Sequence, residues 1–175
     1  QVYHQWLEKI QTESDPCFFA IIRISDQRAV GVASYLRINQ EDGTIEVGHI
    51  NFSPTLQRTT EATEAMFLMM RWAFECGYRR YEWKCNALNL KSRKAAQRLG
   101  LSYEGVFRQA TISKGRNRNT AWFAAIDKEW PALKARFEQY LSKKNLTNNG
   151  VPIVSLSVLN EPFLYKEDNY EFTKV

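Results

Sequence analysis

The chain has 175 residues, 44% of them hydrophobic and 25% charged, with a formal net charge of +5. That length supports one domain with a real core, and the composition is that of an ordinary globular protein. No apolar run reaches the ~18–20 residues of a membrane span, and two histidines with no Cys-x-x-Cys argue against structural zinc.

Residues 1–12 read as the end of a helix, with Trp6, Leu7 and Ile10 on one face. They carry no signal-peptide core, and with no initiator Met, removal of sequence before Gln1 by processing or by trimming is expected. Asp15-Pro16 breaks the helix. Residues 17–24 and 29–39 are β-rich runs joined by the turn Ser25-Asp26-Gln27-Arg28. The hairpin turn Glu41-Asp42-Gly43 leads to a third strand, 44–52, which completes an antiparallel meander.

The pattern then changes. A helix over 61–76, closed by Gly77, has ten apolar residues among the twelve from 65 to 76, so it is expected to be covered on most sides. A strand over 81–86 follows, which a strand–helix–strand connection requires to run parallel to a neighbour. Asn89 caps a short helix, 90–99, ended by Gly100. Residues 101–105 connect to strands 106–112 and 120–126, with a polar loop 113–119 between them. Residues 130–143 form an amphipathic helix with Pro131 in its first turn. After the polar break 145–150, one more strand is expected over 151–159, and residues 165–175 are expected to be loosely held. Cys17, Cys76 and Cys85 lack motif spacing and read as core thiols of a reducing cytosol, so a cytoplasmic location is expected.

Charge is uneven. Residues 79–118 hold eleven Lys or Arg against Glu82 and Glu104, a net +9 that leaves −4 for the rest. Such a segment suits an anionic partner, either nucleic acid or a multiply phosphorylated cofactor, unless it is only a solvated basic face. The strand, turn and helix over 45–77 aim free backbone N–H groups beyond a strand end, which makes an anion site.

Three segments, in order, resemble the GNAT family of acetyl-CoA-dependent N-acetyltransferases. The first is Glu46-Val47-Gly48-His49-Ile50-Asn51-Phe52 with the turn at Gln57. The second is Asn89-x-x-Ser92 leading to Arg98-Leu99-Gly100-Leu101. The third is Tyr103-Glu104-Gly105-Val106-Phe107-Arg108. The last two are similar to the RimJ/RimL-like branch, which includes ribosomal-protein N-terminal acetyltransferases. The likeness spans residues 17–141. It implies an α/β (α+β) fold: a mixed, mostly antiparallel central sheet with a splayed parallel strand pair and flanking helices. Residues 1–143 would be the N-acetyltransferase domain, lacking the family's first strand and helix. Residues 144–175 would be a C-terminal extension, one added strand and then a loose tail. The added strand is expected to fill the vacant sheet edge, unless a segment before residue 1 does so.

The resemblance implies acetyl-CoA as co-substrate and no metal. The pantetheine arm would run along the backbone of Ile50, Asn51 and Phe52. The pyrophosphate would rest on the turn formed by Gln57, Arg58, Thr59, Thr60, Glu61, Ala62 and Thr63. The family pattern there is Gln/Arg-x-x-Gly-x-Gly/Ala. Gln57 and Ala62 match, but Thr60 replaces the first Gly, so an ordinary backbone conformation is expected, with a hydroxyl donor or helix cap in exchange. Glu61 and Glu64 suit the helix dipole and are expected to point away from the phosphates. Asn89 and Ser92 share a helix face. The resemblance implies that Asn89 contacts the cofactor or the substrate backbone; by themselves the two read equally well as an N-cap and a surface hydroxyl.

Acetyl transfer to an amine needs a base for the ammonium proton and an acid for the leaving thiolate. In several family members the base is a Glu eleven positions before the Gln of the turn, which is Glu46 here. Taken alone, Glu46 reads either as that or as a solvent-facing strand residue. His49 is the other candidate on the strand and should face the opposite side unless a bulge intervenes. The family's usual Tyr acid falls at Ala96, so Ser92 is the replacement, as acid or as an orienting group for the thiol. The backbone N–H of Ile50 is the candidate oxyanion donor. The aromatics are numerous and include Trp130; Trp72, Trp83 and Trp122 read as packing residues. The loop 114–119 is either a contact for the substrate or the cofactor 3′-phosphate, or a solvated tip.

The sequence therefore reads as an acetyl-CoA-dependent N-acetyltransferase, an acyltransferase working by direct transfer with general-base assistance. Its acceptor is a primary amine: a protein N-terminus, an amino acid or a small amine. No membrane partner is expected, and the chain would be a monomer or homodimer. Two alternatives stay open. One is a catalytically silent acyl-CoA-binding or sensing module, given the altered turn and missing Tyr. The other, ranked last, is a nucleic-acid-binding module using residues 79–118, for which no recognition-helix signature is present.

Overall fold

The computed structural model describes the backbone of residues 2–170 and the side chains of residues 4–170. Six strands form a mixed, mostly antiparallel sheet with one parallel pair, in the order β1-β2-β3-β4-β6-β5, flanked by helices. No helix among the described residues is long and apolar enough to cross a membrane. The chain divides into two compact units, residues 1–79 and 80–175.

The N-terminal unit contains α1 (Val2–Thr12), β1 (Cys17–Arg23), β2 (Arg28–Asn39), β3 (Thr44–Phe52) and α2 (Thr60–Glu75). The three strands are the expected antiparallel meander, with Phe18 opposite Ser34 and Ser34 opposite Gly48. Alternation gives the sheet two faces. On one, the Tyr35 hydroxyl donates to the Met69 carbonyl of α2 at 2.6 Å, and burial pushes that hydroxyl's pKa above its ordinary range. A small apolar cluster of Val30, Leu56 and Ala62 joins the turn after β3 to the start of α2. On the other face α1 approaches, its Trp6 ring edge-on to Phe18 at 5.4 Å.

Two β-bulges depart from the expected regularity. Ala33 of β2 faces two residues of β3, His49 and Ile50, and His49 takes a left-handed φ of 48°. Ile45 of β3 likewise faces Arg37 and Ile38 of β2, with Arg37 at φ 49°. The Asp15 carboxylate accepts from the N–H groups of Arg37 and Ile38, both at 2.9 Å, and so satisfies the amides the second bulge frees. Helix α2 is less covered than its apolar content predicts. Met66, Phe67, Met70, Ala73 and Phe74 are buried, while Leu68 and Trp72 are not. Trp72, expected in the core, is 49% exposed and lies stacked on Tyr35 at 5.0 Å.

The C-terminal unit contains β4 (Arg80–Asn86), α3 (Leu90–Arg98), β5 (Ser102–Ser113), β6 (Arg116–Ile126), α4 (Trp130–Leu141) and α5 (Leu156–Asn160). Strand β6 pairs antiparallel with both β4 and β5. One side of this sheet carries Tyr81, Trp83, Cys85, Ala121, Phe123 and Ala125, all buried. At Gly100 a Cβ would stand 2.5 Å from Leu133 Cδ1, and φ is +86°, so the close approach of α4 to the end of α3 requires glycine there.

Three sequence expectations change in this unit. Residues 102–105 belong to β5 rather than to a connector, with Glu104 as an extra residue at a register shift. The polar stretch 113–119 is not an open loop: Lys114 and Gly115, at φ 52° and 74°, make a two-residue hairpin turn, and Arg116 starts β6. Residues 151–159 are no strand. Pro152 makes a single bridge to Leu146, and α5 follows. The segment therefore fills no sheet edge.

Nor is the tail loose over its described part. Tyr103 donates its N–H to the Lys166 carbonyl at 2.9 Å, and Asp168 donates its N–H to Gln97 Oε1 at 2.7 Å. Asp168 is buried and ion-paired with buried Arg93. Residues 171–175, also expected to be loose, lie outside the described residues. Of the three cysteines expected in the core, only Cys85 is buried; Cys76 is exposed and Cys17 half-buried.

Candidate active site

The N-terminal unit carries the strand–turn–helix element. β3 ends at Phe52, and the turn closes through the Leu56 and Gln57 N–H groups, which donate to the Ser53 carbonyl at 3.0 and 3.1 Å. Leu56 anchors the turn by burial. The left-handed residue is Arg58, at φ 63°, and not position 60. The turn thus uses a non-glycine left-handed residue two positions before the expected glycine. Thr60 is the first helical residue of α2, and the cap is Thr59. Thr59 Oγ1 accepts from the Ala62 N–H at 3.1 Å and donates to the Leu56 carbonyl at 2.7 Å.

With Ala62 capped, the N–H groups of Arg58, Thr60 and Glu61 have no acceptor among the described residues. Three unsatisfied donors at a helix N-terminus, where the dipole is positive, fit a diphosphate group. Ala62 and Thr63 are buried, whereas the side chains of Glu61 and Glu64 are exposed. The Gln57 side chain folds back, donating to the Phe52 carbonyl at 2.9 Å. Ile50, Asn51 and Phe52 lie in the part of β3 beyond the bulge, with Asn51 opposite Val32 and Phe52 opposite Gly31.

The bulge decides the relation between Glu46 and His49. Ser34 faces Gly48, and the Ser34 hydroxyl meets His49 Nδ1 at 2.8 Å, so His49 shares the face of Ser34 and Gly48. Glu46 is two residues from Gly48 and on that face as well. Alternation alone would have separated the two side chains; the extra residue brings them to one side. Glu46 is buried, and its Oε2 accepts from Arg37 Nη1 at 2.7 Å. Gly48 leaves room for this arrangement, since a Cβ there would stand 2.8 Å from Leu36 Cδ2.

His49 also lines a cleft of about 350 Å³ on this face, together with Trp6, Ile10, Phe18 and Asn51. The His49 ring lies 5.1 Å from that of Phe18.

In the C-terminal unit, Asn89 is the N-cap of α3, its Oδ1 accepting from the Ser92 N–H at 3.2 Å. The Ser92 hydroxyl accepts from Trp83 Nε1 at 3.0 Å and is hydrogen-bonded to the Cys85 thiol. Burial pushes that thiol's pKa up, against the lowering effect of Ser92. Ala96, where a Tyr was looked for, is fully buried. Trp83 packs in the interior as expected, Trp130 is buried too, and Trp122 is half-buried against Phe107 at 4.5 Å.

The basic segment is partly consumed within this unit. Arg80 binds Glu82 at 2.7 Å and Glu104 at 2.6 Å, and Lys84 binds Glu82 at 2.7 Å. Arg93 makes two bonds to Asp168, at 2.7 and 2.6 Å, which push its pKa up against the opposing effect of burial.

Sequence reading missed Arg37, Ser34 and the Arg93–Asp168 pair. Ser34 left a signal, as a polar residue inside the apolar run from Val30 to Leu36. Arg37 and Asp168 left none, because each depends on a partner brought close by a bulge or by the tail.

A family model described as "Acetyltransferase (GNAT) domain" matches residues 1–102. A GCN5-related N-acetyltransferase from Brucella melitensis is 42% identical, with a TM-score of 0.87, over 91% of this chain and 72% of that one. One of the "probable acetyltransferases (GNAT family)" from Chromobacterium violaceum is 46% identical, with a TM-score of 0.68, over 73% of this chain. The match spans 64% of that chain's length. A spermidine N-acetyltransferase from Vibrio cholerae shares the fold alone, at 14% identity and a TM-score of 0.63, over 74% of this chain and 76% of that one. No curated protein matches the chain. The chain belongs to the GNAT acetyltransferase family.

Proposed function

We propose that this protein transfers an acetyl group from acetyl-CoA to a primary amine by direct transfer with general-base assistance. The observation that carries the reading is the set of three unpaired donors, the N–H groups of Arg58, Thr60 and Glu61, directly after β3. In this reading the turn 57–63 holds the pyrophosphate, and the backbone of Ile50, Asn51 and Phe52 holds the pantetheine arm. Asn89 and Ser92 add cofactor contacts from α3.

Acetyl-CoA supplies a thioester whose acetyl carbon is already activated for attack. Glu46 takes the acceptor's ammonium proton, through water, so that the neutral nitrogen forms the new N–C bond as the C–S bond breaks. The nitrogen then gives its surplus proton to solvent to leave the amide. Arg37 fixes the carboxylate that does this. The Ile50 N–H donates to the acetyl oxygen. Ser92 orients the departing sulfur or gives it a proton, which solvent replaces.

The proposal extends to a catalytic domain over residues 1–143, the RimJ/RimL-like branch, a cytoplasmic location and a monomer or homodimer. The branch is supported only by the segments around Asn89-x-x-Ser92 and Glu104-Gly105.

The test is thiol release from acetyl-CoA across a panel of primary amines, with products identified by mass spectrometry. Glu46→Gln should lower kcat by ~10²–10⁴-fold while acetyl-CoA still binds. A second reading, a silent acyl-CoA sensor, is favoured by the Arg37–Glu46 contact at 2.7 Å, which already occupies the proposed base. Tight acetyl-CoA binding with no thiol released from any amine would select the sensor.

A further inference from the structure

We propose that the cleft on the α1 face of the N-terminal unit is the acceptor subsite, and that it selects primary amines whose body is a ring or a bulky apolar group. This rests on the acetyl-transfer reading above and adds to it the chemical class of the acceptor.

The cleft has a polar end and an apolar end. Its polar end is on β3, where His49 and Asn51 line it. Asn51 belongs to the strand segment assigned to the pantetheine arm, so an amine held at this end meets the acetyl group. His49 Nδ1 is engaged by Ser34 at 2.8 Å, which orients the ring and leaves Nε2 as the second ring nitrogen available to an ammonium or amine.

Apart from Lys9 and Glu13, the rest of the wall is apolar, formed by Trp6, Ile10, Pro16, Phe18 and Val32. Trp6 and Phe18 stand edge to face at 5.4 Å, and Phe18 continues to His49 at 5.1 Å. Three rings in sequence make a surface on which a further ring gains both buried area and favourable aromatic geometry. A volume of about 350 Å³ is at the small end of ligand pockets and suits one ring-bearing amine or one N-terminal residue.

Charge argues against a polyamine. A second cationic centre would need a carboxylate. Among the described residues lining the cleft the one carboxylate is Glu13, which lies 3.6 Å from Lys9 Nζ. Lysine at the rim would repel a second ammonium.

The experiment uses the full chain with four acceptors: 2-phenylethylamine, a short peptide beginning with Phe, the same peptide beginning with Gly, and spermidine. Steady-state thiol release gives kcat/KM for each, and calorimetry without acetyl-CoA gives the Kd of 2-phenylethylamine. The expected result is a preference of about tenfold or more for the two ring-bearing acceptors. Trp6→Ala should abolish that preference and weaken 2-phenylethylamine binding about tenfold, and Trp6→Phe should restore most of both. The KM for acetyl-CoA should stay unchanged in both variants. Whether the small amine or the Phe peptide is preferred identifies the source of the acceptor.

Equal use of spermidine or the Gly peptide, or full retention of the preference in a folded Trp6→Ala protein, would overturn the proposal. So would failure of 2-phenylethylamine both to bind and to react. Trp6-dependent binding of 2-phenylethylamine with no thiol release from any acceptor would instead sink the acetyl-transfer reading and leave the cleft's selectivity standing.

Discussion

The two units of this chain use their polar groups in opposite ways. In residues 1–79 the distinctive polarity is backbone polarity: two bulges, a left-handed turn residue at Arg58 and three N–H donors at the start of α2. The Arg23–Asp26 and Lys9–Glu13 ion pairs of this unit are partly exposed, and in its Arg37–Glu46 pair the carboxylate is buried while the arginine stays exposed. In residues 80–175 side-chain charge is turned inward instead. Arg93 and Asp168 are 2% and 1% exposed, and the side chains of Lys84 and Glu82 are 10% and 13% exposed. A unit that offers donors to a ligand leaves them unsatisfied within itself. A unit that pairs its charges internally gains a defined tail and strand arrangement, and any one partner removed leaves the other buried and uncompensated.

The largest expected effect tests the inward charge. Asp168→Asn should cost ~3–5 kcal/mol of unfolding free energy, because it strands the Arg93 guanidinium in the interior. Denaturant titration measures it; a loss below about 1 kcal/mol would mean that the tail contributes little to this unit.

The next effect is a pH dependence. Burial alone would raise the Glu82 pKa, but hydrogen bonds from Lys84 and Arg80 hold it below the ordinary carboxylate range. Its folded pKa is thus depressed relative to the unfolded chain. The stabilisation is present above the unfolded carboxylate value and is lost as pH falls through the folded one. Glu82→Gln should therefore be less stable near neutral pH and show a flatter acid limb in a series of thermal melts. A limb as steep as that of the parent protein would show that other carboxylates set it.

A smaller pair of changes compares the caps. Thr59→Ala and Asn89→Ala should each cost ~1 kcal/mol of stability, since each removes one side-chain cap. Thr59→Ala should in addition raise the KM for acetyl-CoA severalfold, because the capped geometry holds the donors of Thr60 and Glu61. An unchanged KM would reduce the turn to a structural device. The smallest effect belongs to the N-terminal surface: Arg23→Gln should shift stability by no more than ~1 kcal/mol, since an exposed pair gains little.

The sequence carried most of the element order. β3 runs from Thr44 to Phe52 as expected, α3 is capped by Asn89, and α4 begins with Trp130 and Pro131. These are local matters of alternation, capping and turn chemistry, which neighbouring residues decide. The hairpin turn at Lys114-Gly115 was concealed by polar flanks. Asn117 and Asn119 read as loop residues, yet Asn117 is held in register opposite Ile112, and Asn119 Oδ1 accepts from the Gln109 N–H at 2.7 Å. The segment 151–159 has the β-branched composition of a strand, but it makes only the bridge of Pro152 to Leu146, and Ser155 caps α5 over its second half.

At the opening of α2 the sequence by itself determined that a strand, a turn and a helix follow one another, and that Thr60 stands where glycine was looked for. The cap at Thr59 and the left-handed residue at Arg58 are local features of the turn that the letters alone did not single out. Tertiary structure decided the rest: through the bulge at His49 it brought Glu46 and His49 to one face of β3. The physical reason is the range of each interaction. Caps and alternation depend on residues three or four apart, whereas a bulge is set by the strand across from it, here β2, whose Ala33 faces two residues of β3.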